Sequence, residues 1–148
     1  MDLLGAFAAY AADFERTFAD DDWSRLEHHF RDDAEYRIEN GPLACTLRGR
    51  AEILAGMRRS IDGFDRRCDV RATRLRAPPE IDGDRVVVRW AGTYRVGALP
   101  PLEVAGTETA EFRDGRIACL VDVYEEESIA RHADWLARHG CELNPSYR

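Results

Sequence analysis

The spacing of apolar residues changes once along this chain, from near four to two at about Phe64, and that switch decides the fold class. Ahead of it, Leu3, Phe7, Tyr10, Phe14 and Phe18 follow at steps of four, three, four and four, which places them on one face of a helix. Asp20, Asp21 and Asp22 end the run, and Asp22 stands where it can cap a second helix over 23–30, in which Trp23, Leu26 and Phe30 share a face. A short strand over 34–38 stops at Asn40-Gly41-Pro42. Ile53, Met57, Ile61 and Phe64 then mark a third helix over 51–64.

After Phe64 the pattern reads as strands over 69–77, 85–96, 103–113 and 116–124, parted by Pro78-Pro79, residues 97–101 and Asp114-Gly115. Consecutive strands joined by short turns predict antiparallel pairing. Helices followed by a meander give an α+β domain, in which the helices cover one face of the sheet. The last strand is apolar on both parities, with Ile117, Cys119, Val121 and Val123 on one and Ala118, Leu120 and Tyr124 beside Asp122 on the other. Neither row is the polar one of a solvated face, so the outer face is expected to pair with a second copy. A final helix over 126–139 ends at Gly140, placed as its C-cap. The 148 residues show no repeat or linker and read as a single domain, with 126–148 a helical extension.

Composition closes several functions. All 21 basic residues are arginine, so a Schiff-base lysine and the lysine of a phosphate-binding loop are excluded. A net charge of −7 works against nucleic acid, whose binding needs clustered positive charge. The four cysteines stand 23, 51 and 22 residues apart, without the spacing of a zinc site. No apolar run is long enough to span a bilayer and no leader pattern opens the chain, so a cytoplasmic protein with free thiols is expected, without membrane contact.

Asp22-Trp23-Ser24-Arg25-Leu26, the run Phe30 to Tyr36, and Gly49-Arg50-Ala51-Glu52-Ile53 resemble the nuclear transport factor 2-like superfamily. The stretch Arg89 to Tyr94, then Phe112 to Ile117 and Asp122-Val123-Tyr124, is similar to its SnoaL-like polyketide cyclase branch. The resemblance covers about residues 5–125 and implies a cystatin-like cone: a curved, mostly antiparallel sheet wrapped around the N-terminal helices, with an extra C-terminal helix here. It also implies a largely apolar pocket, walled by Tyr10, Phe14, Trp23, Met57, Phe64, Trp90 and Tyr124 unless these side chains simply fill the core.

Chemistries of relatives can be tested residue by residue. Ketosteroid isomerases carry an oxyanion-stabilising tyrosine on the first helix; an ungapped count lands on Phe14, which has no donor, with Tyr10 one turn away and Glu39 near the place of the base. Scytalone dehydratases use histidines on the sheet, whereas here none lies between His29 and His132. Limonene epoxide hydrolases combine an aspartate on the last strand with an Arg-x-Asp. Asp122 and Arg89 match, but Ala91 replaces the second acid.

Asp122 is therefore the leading candidate, as a desolvated base or as half of an ion pair with Arg89. Glu108 on the adjacent strand is the second, with an outward, solvated glutamate as the alternative. Arg89 is expected to steady developing charge or the base, and Tyr36 and Tyr94 to orient a carbonyl or hydroxyl. The expected activity is general acid-base chemistry on a small apolar, cyclic or polyketide-like molecule, as a cyclase, isomerase or dehydratase without metal or organic cofactor. The alternative is a non-enzymatic ligand-binding or dimerisation module of the same fold. The last helix either covers the pocket mouth or docks outside.

Overall fold

Asp2 starts the first helix, its carboxylate accepting the Gly5 N–H at 2.9 Å and satisfying a donor the helix itself leaves unpaired. In this computed structural model, which describes residues 1–147, α1 runs over Leu3–Asp20. Asp21 ends it in the left-handed conformation, φ 63°, which a short polar residue tolerates. Its carboxylate then accepts from the Trp23 indole at 2.7 Å and from Arg58 and Arg66 at 3.0 Å each, tying the end of α1 to the next helix.

The second helix departs from expectation. Trp23–His29 is a 3₁₀ segment, and Asp22 does not cap it; that carboxylate accepts the Ser24 hydroxyl instead. The buried residues Trp23, Leu26 and His29 are spaced by three, the period of a 3₁₀ helix, and Phe30 belongs to the following strand.

The strands are β1 (Phe30–Ile38), β2 (Cys45–Arg48), β3 (Val70–Leu75), β4 (Glu80–Asp82), β5 (Arg85–Arg95), β6 (Leu102–Arg113) and β7 (Arg116–Tyr124), with α2 (Arg50–Gly63) between β2 and β3. They form one curved, open sheet of order β2-β1-β7-β6-β5-β3, with β4 on β5. Every pairing is antiparallel except β1 with β7, which sets Tyr36 beside Leu120 and Ile38 beside Asp122. Register shifts between Phe30 and Glu35 and between Glu111 and Phe112 bend the sheet. Neither β2 nor β4 was expected: four and three residues are too few to show a period, and all of β4 is exposed.

Alternation along the strands divides the sheet. Tyr36 and Ile38 on β1, Val86 and Val88 on β5, Ala110 and Phe112 on β6 and Leu120 on β7 point to the concave side, where Phe7 and Tyr10 of α1 and Ile53, Met57 and Ile61 of α2 meet them. Leu26, Phe30 and Ile53 are fully enclosed.

The last helix, α3 (Glu126–His139), buries Ser128, His132 and Trp135. Ser128 accepts the Ala105 N–H at 2.8 Å, and Trp135 packs with Phe64, Leu102 and Val104. α3 thus packs against the sheet and the end of α2 with His132 lining the pocket, rather than docking outside. Gly140 is its C-cap, but with φ −85° rather than left-handed, so the chain continues into a 3₁₀ turn, Gly140–Glu142.

Candidate functional site

Between α1, α2, α3 and the concave sheet lies a cavity of about 320 Å³, the size of a small-molecule site. Ten of the twelve residues singled out from the sequence border it. Tyr10 and Phe14 come from α1, Met57 from α2, Phe64 from the end of α2, and Tyr36, Trp90, Tyr94, Glu108, Asp122 and Tyr124 from the sheet. Trp23 does not line it. Its ring stands behind Phe14, 6.3 Å away and perpendicular, as core.

Glu108 and Asp122 are direct partners in the β6–β7 ladder, so their carboxyl groups share one face of the sheet. Asp122 is 7% exposed, and the Tyr36 hydroxyl donates to its Oδ2 at 2.6 Å. Its Oδ1 is enclosed and has no hydrogen-bond partner among the described residues; the neighbouring groups able to supply one are a protonated Glu108 and the Trp90 indole. Burial raises the Asp122 pKa to about 6, held from rising further by hydrogen bonding from Tyr36, Glu108 and Trp90. Glu108 is driven well above the usual carboxylate range, first by burial and then by the charge of Asp122. Two acids facing each other across the ladder resist ionising together, so the pair tends to retain a proton, and the Tyr36 hydroxyl on Asp122 favours the charge there.

Arg89 is not the partner of Asp122. It precedes Trp90, whose ring faces the cavity, so strand alternation turns the guanidinium outward. There it is 47% exposed and bound to Glu80 at 2.7 Å. The arginines at the cavity are Arg71 and Arg74 of β3; Arg71 is 10% exposed and held by Asp65 at 2.8 Å and Glu15 at 2.8 Å. Tyr10 also feels the acid pair: burial, then the charges of Glu108 and Asp122, push its phenol well above its ordinary value, so it stays a neutral donor. Burial does the same to Tyr94.

Sequence reasoning missed His132, Tyr147 and Arg71. His132, 4% exposed, reaches the cavity from α3; its Nδ1 has no partner and burial lowers its pKa to about 4, so the ring is neutral. The spacing of Ser128, His132 and Trp135 marks that inner face and was the available signal. Arg71 had no such signal, since Thr73, Arg74 and Leu75 of both parities line the cavity and the burial along β3 does not alternate. Tyr147 lies beyond every periodic element.

Away from the cavity, Asp13, His28 and His29 bring one ligand atom each within 4.8 Å of one another, the one group among the described residues able to hold a metal ion. His29 already bonds Asp13 at 2.8 Å. No helix among the described residues is long and apolar enough to cross a membrane.

The curved, open sheet packed around the helices is the fold of the nuclear transport factor 2-like superfamily. Within it the chain belongs to the SnoaL-like domain family, which matches residues 11–120. Among solved structures it is similar to a putative isomerase from Rhodopseudomonas palustris, with 16% identity, 86% of this chain and 95% of the other covered, and a TM-score of 0.69. A nuclear transport factor 2-like protein from Burkholderia xenovorans gives 22% identity, 86% and 95% coverage and a TM-score of 0.61. TerC co-crystallised with polyporic acid gives 20% identity, 90% and 97% coverage and a TM-score of 0.65. These likenesses concern the fold. No curated protein matches the chain.

Proposed function

We propose that this protein catalyses proton transfer on a small, largely apolar carbonyl compound, in the manner of an isomerase, cyclase or dehydratase. The observation that carries the reading is the Glu108–Asp122 pair on the concave face, with Asp122 buried, Tyr36 bonded to it at 2.6 Å and no arginine on either acid among the described residues. Asp122, ionised above about pH 6, takes a proton from carbon. Glu108, protonated, donates to the oxygen on which negative charge develops. Phe14, Met57, Phe64 and Trp90 provide an apolar bed, which suits a cyclic or polyketide-like skeleton, and Tyr94 supplies a second donor to a ligand oxygen. TerC, a fold neighbour crystallised with polyporic acid, is consistent with this size of ligand.

The test is deuterium uptake from D2O into a panel of cyclic enones and 1,3-diketones, followed by mass spectrometry. Accelerated exchange with wild type and its loss in Asp122→Asn are expected. Saturable binding without exchange across the panel would show a ligand-binding module instead.

The outer sheet face supports a second part of the proposal, a homodimer. Val121 and Val123 of β7 stand there with Thr107 and Thr109 of β6, all short of full burial in the single chain. Sedimentation equilibrium of wild type against Val123→Arg tests it; two monomeric proteins would refute it.

A further inference from the structure

The residues after α3 bring a further hydroxyl toward the acid pair along the α2 side. Beyond Glu142 the chain folds back along α2, where the Asn144 N–H donates to the Gly63 carbonyl at 2.8 Å and Arg59 donates to the Tyr147 carbonyl oxygen. Two glycines permit this approach. A Cβ on Gly63 would overlap the Asn144 carbonyl, and one on Gly56 would lie 3.0 Å from the Tyr147 carbonyl oxygen. The tail thereby sets the Tyr147 ring edge-on to Tyr36, 5.7 Å between centroids and 83° between planes. Its hydroxyl lies within hydrogen-bonding reach of those of Ser60 and Tyr36.

Counting protons gives these contacts a direction. A tyrosine hydroxyl has one hydrogen, and that of Tyr36 is committed to Asp122. Tyr147 can therefore satisfy the Tyr36 oxygen only by donating to it, and Ser60 is left to donate to Tyr147. The result is a file of hydroxyls, Ser60 to Tyr147 to Tyr36, ending on Asp122. In a site of low dielectric each donor in such a file strengthens the next. All the buried donors that reach Tyr36 from the α2 side act on one member of the acid pair and none on the other.

We propose that Tyr147 is a positioning residue of the acid pair: its hydroxyl, delivered by the tail, aims the Tyr36 hydroxyl at Asp122 and so keeps the charge on Asp122 and the proton on Glu108. The inference rests on the pair acting as proposed above, but its test is read on the resting protein. Carboxyl carbon resonances of Asp122 and Glu108 are titrated by nuclear magnetic resonance in wild type, Tyr147→Phe and Gly63→Ala, all as the full chain. Tyr147→Phe removes one oxygen and keeps the ring. Gly63→Ala leaves Tyr147 intact and displaces the tail, while alanine favours the helix.

Both variants should raise the Asp122 midpoint by about half a pH unit, the size expected for one donor lost from the file. Superimposable titrations in wild type and both variants would overturn the proposal. On a substrate found by deuterium exchange, Tyr147→Phe should lower kcat about threefold with KM nearly unchanged, following the weaker bond. A rise in KM with kcat and both midpoints unmoved would make Tyr147 a wall of the cavity and nothing more. Failure of wild type to exchange any compound would refute proton transfer, while the titrations would still decide the role of Tyr147.

Discussion

The two faces of strands β5 to β7 carry the same charged chemistry in opposite arrangements. On the outer face acids are matched with arginines: Glu111 lies 2.6 Å from Arg113 and 3.5 Å from Arg85, and Arg89 lies 2.7 Å from Glu80. On the inner face Glu108 and Asp122 have each other, the hydroxyl of Tyr36 and the indole of Trp90, and no arginine among the described residues. The outer pairs are solvated and individually worth about 0–1 kcal/mol. The inner pair is desolvated, so folding works against its charge. A protein that places arginines beside acids on one side and withholds them on the other has an acid pair whose protonation can change, which a structural ion pair does not offer.

The contrast can be broken first through activity. Asp122→Asn should reduce exchange by about 10²–10⁴-fold, the usual contribution of a general base, whereas Arg89→Gln should leave it within about twofold. Equal losses from the two would erase the distinction between the faces, and steady-state rates with any exchanging compound decide it.

Stability sharpens the contrast next. Both inner acids bind protons more tightly folded than unfolded, so their contribution is fully present below the ordinary carboxylate range and is lost as pH rises, through about 6 for Asp122 and well above the ordinary glutamate value for Glu108. Glu108→Gln should therefore stabilise the protein at pH 8 by about 1–3 kcal/mol in urea denaturation, with the gain shrinking as pH is lowered toward 5. A variant less stable than wild type at pH 8 would contradict the desolvated pair.

His132 has the opposite sign. Its folded pKa is depressed from 6.5 to about 4, so its contribution is present above 6.5 and lost as pH falls toward 4. His132→Leu should flatten that acid-side decline by about 1–2 kcal/mol, measured as the change in unfolding free energy between pH 7 and pH 5. The smallest effect belongs outside: Arg89→Ala should shift stability by less than about 0.5 kcal/mol, and added salt should remove even that.

Much of this arrangement was legible in the sequence because periodicity reports which face a residue occupies. The helical steps from Leu3 to Phe18 and the long strands β5 to β7 placed Tyr10, Phe14, Trp90, Glu108 and Asp122 close to their observed positions. The pairing of Asp122 with Arg89 was misread because a plausible charge partner was chosen by type. The parity of Arg89 against Trp90 was the better guide, and it points outward. Glu108 was a candidate beside an outward, solvated reading, and only the β6–β7 register reveals that it faces Asp122 residue for residue. Tyr147 had no such signal, since a tail held by Gly63 and Arg59 has no period of its own.

The one parallel pairing in the sheet also governs when the cavity can exist. Tyr36 and Asp122 lie 86 residues apart and meet only through β1 and β7, so most of the ring of contacts between them must be closed before either acid is sheltered. Loop closure over such separations is slow relative to local helix formation. On a ribosome, α1, α2 and the β3–β5 hairpin can be gathered early, but an apolar slot stays open to chaperones and to aggregation until the seventh strand emerges and threads between β1 and β6.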